Sequence, residues 1–148
     1  MACELCQHLE TPAWSLVWRD ERLRVVRVLD APDFPAFYRV IWNAHVAEFS
    51  DLSAPDRQHA MDTVVAVERA LREALQPTKV NLAALGNLVP HLHWHVIARF
   101  EGDSHFPQPI WGGRQREGDA ALLQRLSAAL PAIDARLAAD LASAATTA

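Results

Sequence analysis

The alternation of apolar and polar residues along the chain predicts five β-strands and two longer helices. Short runs rich in Val, Leu, Ile and aromatic residues, bounded by polar or proline-containing stretches, are typical of half-buried strands. The five predicted strands cover residues 15–20, 23–30, 37–45, 79–85 and 91–100. Polar residues at 20 to 22 predict a hairpin between the first two strands, and Gly86 with Asn87 predicts the turn between the last two.

Two further segments have helical character. One helix is predicted to begin near Pro55, which suits a first helical turn, and to end before Pro77. The other is the Ala- and Leu-rich tail at 118–141, which Pro131 is predicted to break or kink. Strands covered by helices predict an α+β fold, with a five-stranded antiparallel meander sheet.

Chain length and composition predict a single domain. At 148 residues and 51% hydrophobic, the chain can build one core. We expect one domain over 1–148, with its core at about 3–112 and a helical tail at about 118–141. The net charge of -4 argues against an extended nucleic-acid interface. No apolar run has the length of a secretory signal or a membrane span, so we expect a cytoplasmic protein without membrane contact.

Three of the seven histidines lie in one alternating stretch, "NLVPHLHWHVIARF" at 87–100. Because side chains alternate across a strand, His91, His93 and His95 are predicted to share one face, with Leu92, Trp94 and Val96 on the other. Two chemistries can use such a face. A neutral imidazole can attack phosphorus and form a covalent phospho-histidine. Alternatively, two histidines can chelate a catalytic metal, with Asp103 or His105 completing the site.

The N-terminal Cys3 and Cys6 form a C-x-x-C motif. In a reducing compartment this spacing favours metal or redox chemistry over a structural disulfide. A redox motif usually opens a helix after a buried strand, and only two residues precede Cys3. The motif therefore indicates half of a zinc site.

The segment from His91 to Ile97 resembles the His-x-His-x-His-x-x signature of the histidine triad (HIT) family of nucleotide hydrolases and transferases. Similarity to the family, and to its bacterial branch, extends over about 3–112. It includes "VLDAPDFPAFYRVIWNAHVAEFSDL" and "VNLAALGNLVPHLHWHVIARF". The resemblance implies an HIT-like fold, a homodimer and a nucleotide substrate that is a phosphate ester, anhydride or phosphoramidate. It also implies attack on the α-phosphate through a nucleotidyl-histidine intermediate, without a catalytic cofactor.

The resemblance assigns roles to individual residues. His93 would be the nucleophile, His95 would contact the phosphate and assist the leaving group, and His91 would help to orient the middle ring. The residues expected to bind substrate are Asn81 near the phosphate, Asn87 where glutamine is usual, and Asp30 at the ribose hydroxyls. Asp30 is equally consistent with an ordinary turn cap. Trp111 lies in a loop bounded by Pro and Gly. It would close over the nucleotide, cross a dimer interface or anchor the loop.

The chain departs from the family pattern at two positions. Phe37 stands where many members have a fourth histidine, and Leu88 replaces a Ser or Thr; both polar groups serve the active site or the leaving group elsewhere in the family. These changes leave a second function open, a non-catalytic, zinc-stabilised nucleotide-binding or interaction protein, with a metal-dependent hydrolase as a third. Resemblance to bacterial members also implies a structural zinc site of Cys3, Cys6, His45 and His91, for which His8 is a competing ligand.

Overall fold

Five strands form one antiparallel sheet in the computed structural model, which describes residues 3–7 and 11–146. The strands are β1 (Trp14–Arg19), β2 (Leu23–Val28), β3 (Phe37–Trp42), β4 (Lys79–Ala83) and β5 (His93–Arg99). The helices are α1 (Glu4–Gln7), α2 (Ala54–Leu75) and α3 (Ala120–Thr146), with a 3-10 turn at Phe49–Asp51. The predicted α+β class, an antiparallel five-stranded sheet with covering helices, is confirmed.

The strand order β1-β2-β3-β5-β4 departs from a strict meander at one point. After β3 the chain passes through α2 and returns at the edge of the sheet as β4, and the β4–β5 hairpin then places β5 between β3 and β4. The histidine-bearing strand therefore lies inside the sheet, with a neighbouring strand on each side.

Side-chain chemistry explains where the first elements begin and end. At the β1–β2 turn, the Asp20 carboxylate accepts hydrogen bonds from the amides of Arg22 and Leu23, both at 2.8 Å. Ser53 caps α2 by accepting from the amide of Asp56. The helix ends where Gln76 adopts a left-handed conformation with φ of 48°. The predicted limits of this helix, near Pro55 and before Pro77, agree with the observed ones to within two residues.

The main core lies between one face of the sheet and helices α2 and α3. Alternate strand residues such as Val25, Val40 and Val96 pack there against α2 side chains including Val64 and Leu71. Leu92 and Trp94 belong to the same cluster, as their alternation with the histidines predicts. Among the described residues, no helix is both long enough and apolar enough to cross a membrane.

The tail helix is longer than predicted and continues through Pro131. Proline removes one main-chain donor and crowds the preceding turn, which is why a break was expected. The buried stripe of α3 continues across the proline and holds the helix on the sheet. Its members are Leu126, Leu130, Ile133, Leu137 and Leu141. Of the predicted break or kink at Pro131, the break is therefore wrong, and the kink stays a prediction.

The β4–β5 connection is longer than the predicted two-residue turn. Strand β4 ends at Ala83 and β5 begins at His93, so residues 84–92 form the loop. Gly86 has a φ of 70°, a conformation that favours glycine. Consequently His91 precedes the strand instead of belonging to it, and strand alternation does not determine the direction of its ring.

Candidate active site

The face of the sheet opposite α2 and α3 carries a cleft of about 570 Å³. His93 and His95 project into it from β5, and Arg39 projects from the adjacent position on β3, where it pairs in register with His95. Alternation predicted one strand face for His91, His93 and His95; the structure places His93 and His95 on the face opposite Trp94, whereas His91 precedes the strand and does not line the cleft.

The His93 ring is held by a single main-chain hydrogen bond. Its Nδ1 donates to the carbonyl oxygen of His91 at 2.6 Å. Because Nδ1 carries the proton, the neutral ring has its lone pair on Nε2. Burial lowers the pKa of His93 and the charge of Arg39 lowers it further, while the hydrogen bond to His91 opposes both. The geometry therefore offers a neutral imidazole nitrogen to the cleft.

His95 packs among three rings at the centre of the cleft. Ring centroids lie 4.8 Å from His93, 5.5 Å from Phe37 and 4.9 Å from Trp111. Burial, followed by the charges of His93 and Arg39, lowers the pKa of His95 to about 3. Its Nδ1 is buried without a hydrogen-bond partner among the described residues. His95 is therefore uncharged at neutral pH and retains a polar atom for which a ligand or water must provide the partner.

The structure also brings together most of the residues predicted to bind substrate. Asp30, Asn87 and Trp111 line the same cleft as His93 and His95. Trp111 is 52% exposed and touches His95 edge to face, so its loop reaches the site. Of the two departures from the family pattern, Phe37 packs beside His95, and Leu88 stands on the cleft rim at 97% exposure.

Asn81 does not line the cleft, although it shares the active face of the sheet. It pairs in register with Ile97 on β5, two residues beyond His95. Its Oδ1 accepts a hydrogen bond from Arg99 Nη1 at 2.8 Å, which orients the amide. The structure thus places Asn81 next to the histidines along the sheet and holds it with a buried cation.

Asp103 forms a buried ion pair with Arg99. Its carboxylate accepts from Arg99 Nε at 2.8 Å and Nη2 at 3.0 Å, and from the amides of Phe100, His105 and Phe106. Burial alone would raise the pKa of Asp103, but these donors hold it below its usual value. His105 is engaged with Ser104 through Nδ1 at 2.8 Å. Neither residue joins His93 and His95 in a metal-binding group within the described part of the chain.

Arg39 was missed in the sequence analysis. It is the one charged residue in the otherwise apolar or aromatic strand β3, and that pattern is the signal that could have identified it. Its guanidinium lies over the Phe37 ring, 5.3 Å from the centroid. Burial lowers the pKa of Arg39, and the charge of Asp30 opposes the shift.

A second group of side chains lies beside the cleft, where α1 packs onto the sheet. Leu5 is buried against Val26 and Ile41, and its carbonyl accepts from Arg24 Nη2 at 2.6 Å. These contacts bring Cys3 and Cys6 to the sheet, so the C-x-x-C turn is anchored.

Four ligand atoms meet there. One atom each from Cys3, Cys6, His45 and His91 lies within 4.8 Å of the others. His91 Nδ1 is 3.4 Å from the Sγ of both cysteines, and His45 Nδ1 is 3.4 Å from Cys6 Sγ. Tetrahedral zinc with ordinary bond lengths separates sulfur and nitrogen ligands by about 3.5 Å. The group therefore fits a zinc ion, and the competing ligand His8 lies outside the described residues.

His91 connects the two groups. Its Nε2 donates to the carbonyl of Trp42 at 2.5 Å, which leaves Nδ1 unprotonated and directed at the thiols. Its own carbonyl accepts from His93. The main-chain carbonyl of His91 contacts the middle ring, whereas the His91 ring belongs to the cysteine group; its role in orienting the middle ring stays a prediction.

A larger cavity of about 850 Å³ lies between the β1–β2 turn, α2 and α3. Charged side chains along it pair with one another, as His59 does with Asp20 and Arg136 with Glu73. Among the described residues, the smaller histidine cleft instead contains Arg39 Nε and His95 Nδ1, both buried without hydrogen-bond partners. We therefore take the histidine cleft as the candidate active site.

The HIT domain family model matches residues 12–102, which is more than half of the chain, and the chain belongs to this family. A histidine triad protein from Bradyrhizobium japonicum is 32% identical, covers 81% of this chain and 90% of its own, and superposes with a TM-score of 0.65. The resemblance inferred from sequence is confirmed. None of the curated proteins is significantly similar to this chain.

Two more solved structures share the fold. A histidine triad protein from Sinorhizobium meliloti is 26% identical, covers 84% of this chain and 87% of its own, with a TM-score of 0.65. A zinc-bound histidine triad family protein from Mycobacterium smegmatis is 22% identical, covers 82% and 86%, with a TM-score of 0.52.

Proposed function

We propose that this protein is a nucleotide hydrolase or nucleotidyl transferase that attacks the α-phosphate of a nucleoside phosphate ester, anhydride or phosphoramidate. The observation that carries the proposal is the hydrogen bond from His93 Nδ1 to the His91 carbonyl, at 2.6 Å. It fixes one tautomer and directs a lone pair into a cleft lined by His95, Asp30 and Trp111. Membership of the HIT domain family supports the same class of activity.

The proposed reaction has two displacement steps. His93 Nε2 attacks phosphorus, a P–N bond forms, and the bond to the leaving group breaks with its electron pair on the departing atom, which takes a proton from solvent when the leaving group is an alcohol or amine. The ring becomes positively charged, and the His91 carbonyl stabilises that charge. Water then attacks phosphorus, the P–N bond breaks, and the water proton passes to solvent. The products are a nucleoside monophosphate and the original ring; another acceptor in place of water makes the reaction a transfer.

We assign the neighbouring residues supporting roles. His95 contacts the phosphate, Asp30 and Asn87 contact the sugar and phosphate side of the cleft, and Trp111 packs on the nucleotide. Asn81 lies outside the cleft lining with its Oδ1 held by Arg99, and its place near the phosphate rests on the family resemblance. The reaction requires no catalytic cofactor.

We further propose that Cys3, Cys6, His45 and His91 hold a structural zinc ion. The 3.4 Å separations and the Trp42 partner of His91 support this assignment, and the zinc-bound relative from Mycobacterium smegmatis is consistent with it. The ion would stabilise the fold by cross-linking α1 to the sheet. It would also hold His91, whose carbonyl orients the His93 ring.

The test is intact-protein mass spectrometry after quenching without acid, with dinucleoside polyphosphates and nucleoside phosphoramidates as substrates. We expect a mass increase of one nucleotidyl group on the wild type and none on His93→Ala. His59→Ala is the matched control, because His59 lies in the other cavity and pairs with Asp20. Nucleotide binding without adduct or turnover on any substrate would reject the enzymatic proposal.

That outcome would favour the second candidate, a zinc-stabilised nucleotide-binding or interaction protein. The observation behind it is that Phe37 and Leu88 present apolar groups at the cleft. The third candidate, a metal-dependent hydrolase, lacks support from Asp103, whose oxygens are occupied by Arg99 and three amides. Turnover that persists under chelation, with folding monitored in parallel, would exclude it.

We also propose that the protein is a homodimer. β4 is an edge strand that exposes Leu82, and Leu85 and Leu88 are exposed in the loop that follows it. Exposed apolar side chains grouped in this way are typical of an interface. Light scattering on the purified protein should give twice the chain mass.

A further inference from the structure

Arg39 has no role in the reaction proposed above, although it lies at the candidate active site. It lies directly opposite His95 in the β3–β5 pairing, so the two side chains leave the sheet side by side. It lines the cleft together with His93, His95 and Trp111. The guanidinium therefore borders the position that a reacting phosphate would occupy.

The guanidinium of Arg39 lies over the Phe37 ring and experiences the charge of Asp30, but neither contact is a hydrogen bond or an ion pair. No hydrogen bond or ion pair involves Arg39 among the described residues, and its Nε is buried and unsatisfied. Two other arginines of the sheet are ion-paired: Arg27 binds Asp134 at 2.8 Å and Arg99 binds Asp103 at 2.8 Å. A half-buried guanidinium without an acceptor is unfavourable. Because its forked donors match phosphate oxygens, an anionic ligand would satisfy it.

We propose that Arg39 binds a second phosphate of the substrate, on the leaving group, and selects nucleoside di- and polyphosphate anhydrides over substrates with uncharged leaving groups. This inference rests on the proposed function. It deepens that function by naming the bond that is broken, a P–O bond between two phosphates.

The rest of the cleft is consistent with an anionic leaving group. An alcohol or amine needs a proton as it leaves, whereas a phosphate departs as an anion near neutral pH because its second pKa is about 6. His95 is a poor proton donor, since burial lowers its pKa to about 3. Phe37 and Leu88 replace the polar groups that the family resemblance assigns to assisting the leaving group. Arg39 would instead stabilise the negative charge that develops on the bridging oxygen.

The first step of this reaction needs no reagent other than the substrate. His93 Nε2 bonds to the α-phosphorus, the bond from that phosphorus to the bridging oxygen breaks, and its electron pair stays on the departing phosphate beside Arg39. Hydrolysis of the nucleotidyl-histidine then proceeds as described above. The departing phosphate keeps the proton or ester group that it already carries, so it leaves as a hydrogen phosphate or nucleotide anion and takes no proton from the protein in the first step.

The experiment compares equilibrium binding of two probes that differ by one phosphate. Calorimetry measures the Kd of AMP and of α,β-methylene-ADP, which cannot be cleaved at the bridge, and of the guanosine pair in parallel. The proteins are wild type, Arg39→Gln, Arg39→Leu and the control Arg27→Gln. Arg27 suits the control because it is also a partly buried sheet arginine, but it is paired with Asp134 instead of lining the cleft.

We expect the wild type to bind the methylene diphosphate at least about tenfold more tightly than the monophosphate, a ratio typical of one charge-assisted contact. In both Arg39 variants this ratio should fall to about one, with the monophosphate Kd nearly unchanged. Arg27→Gln should keep the wild-type ratio. Arg39→Leu should melt no lower than the wild type, because it removes an unpaired charge, whereas Arg27→Gln should melt lower.

Two results would overturn the assignment while leaving the proposed function intact. Weakening of both probes by the same factor would place Arg39 on the α-phosphate, and unchanged Kd values for both probes would mean that Arg39 contacts neither phosphate. If the wild type binds neither nucleotide pair, the proposed function itself fails and the assignment fails with it. The three results are distinguishable within one set of titrations.

Discussion

Replacing Asp103 by asparagine tests the most heavily hydrogen-bonded carboxylate described here. Asp103→Asn keeps the shape of the side chain and removes its charge. Asp103 and Arg99 have side-chain exposures of 4% and 2%, so the guanidinium would remain buried without a counter-charge. Breaking a buried pair from one side costs about 3–5 kcal/mol. We expect a loss of this size in the free energy of unfolding.

Replacing Arg99, the partner of Asp103, should lower the free energy of unfolding by a smaller amount. In Arg99→Met the carboxylate keeps the three amide donors of Phe100, His105 and Phe106, so it remains solvated by the protein. We expect a loss of about 1–3 kcal/mol. The same variant releases the amide of Asn81, which Arg99 holds at 2.8 Å, so its activity should fall even where it is fully folded.

Urea unfolding followed by tryptophan fluorescence measures both effects, because the chain has five tryptophans. Glu73→Gln is the control. It removes an ion pair with Arg136 in which the side chains are 48% and 63% exposed, and it should cost less than about 1 kcal/mol. The reasoning is refuted if Asp103→Asn costs no more than Glu73→Gln, or if Arg99→Met is the more destabilised of the pair. Because the pKa of Asp103 is held below 3.8, its contribution is present above about pH 4 and is lost as the pH falls through the lowered value.

Three further predictions concern the histidines, the metal group and the cleft rim. The pKa of His95 is about 3 when folded and 6.5 when unfolded, so the unfolded state takes up the proton first on acidification. At pH 5 stability should be lower by about 2 kcal/mol than at pH 8 from this group, and His95→Gln should lose that part of the slope in urea titrations. One zinc per chain should be found by elemental analysis; chelation or Cys6→Ser should lower the melting temperature, and a chelated protein that melts unchanged would contradict the site. Trp111→Ala should weaken nucleotide binding by about 0.5–1.5 kcal/mol in calorimetry without lowering the melting temperature, since this ring is 52% exposed; an unchanged Kd would favour a loop anchor.

The local sequence pattern was sufficient to predict the helices and strands and part of the candidate site. Strand alternation has a period of two, so placing Trp94 in the core also placed His93 and His95 on the opposite face. Pro55 and Pro77 bounded α2 because proline is accepted in a first turn and excluded from a helix interior. The C-x-x-C spacing likewise indicated a metal group before any partner was known, because two thiolates at this separation can bind one ion.

Only tertiary structure decided how distant residues combine. The position of β5 between β3 and β4 depends on the path through α2, and it alone brings Arg39 beside His95. The helix through Pro131 persists because buried side chains on both sides hold it, a long-range effect that local rules omit.

The two roles of His91 have the same origin. Whether its ring or its carbonyl faces His93 depends on where the strand begins and on where α1 packs, and both are set by contacts far apart in the chain. Alternation determined which residues face the cleft, because side-chain direction is a local property of a strand. The partners that orient them and the charge left unpaired among them were decided by packing, because that depends on the whole fold.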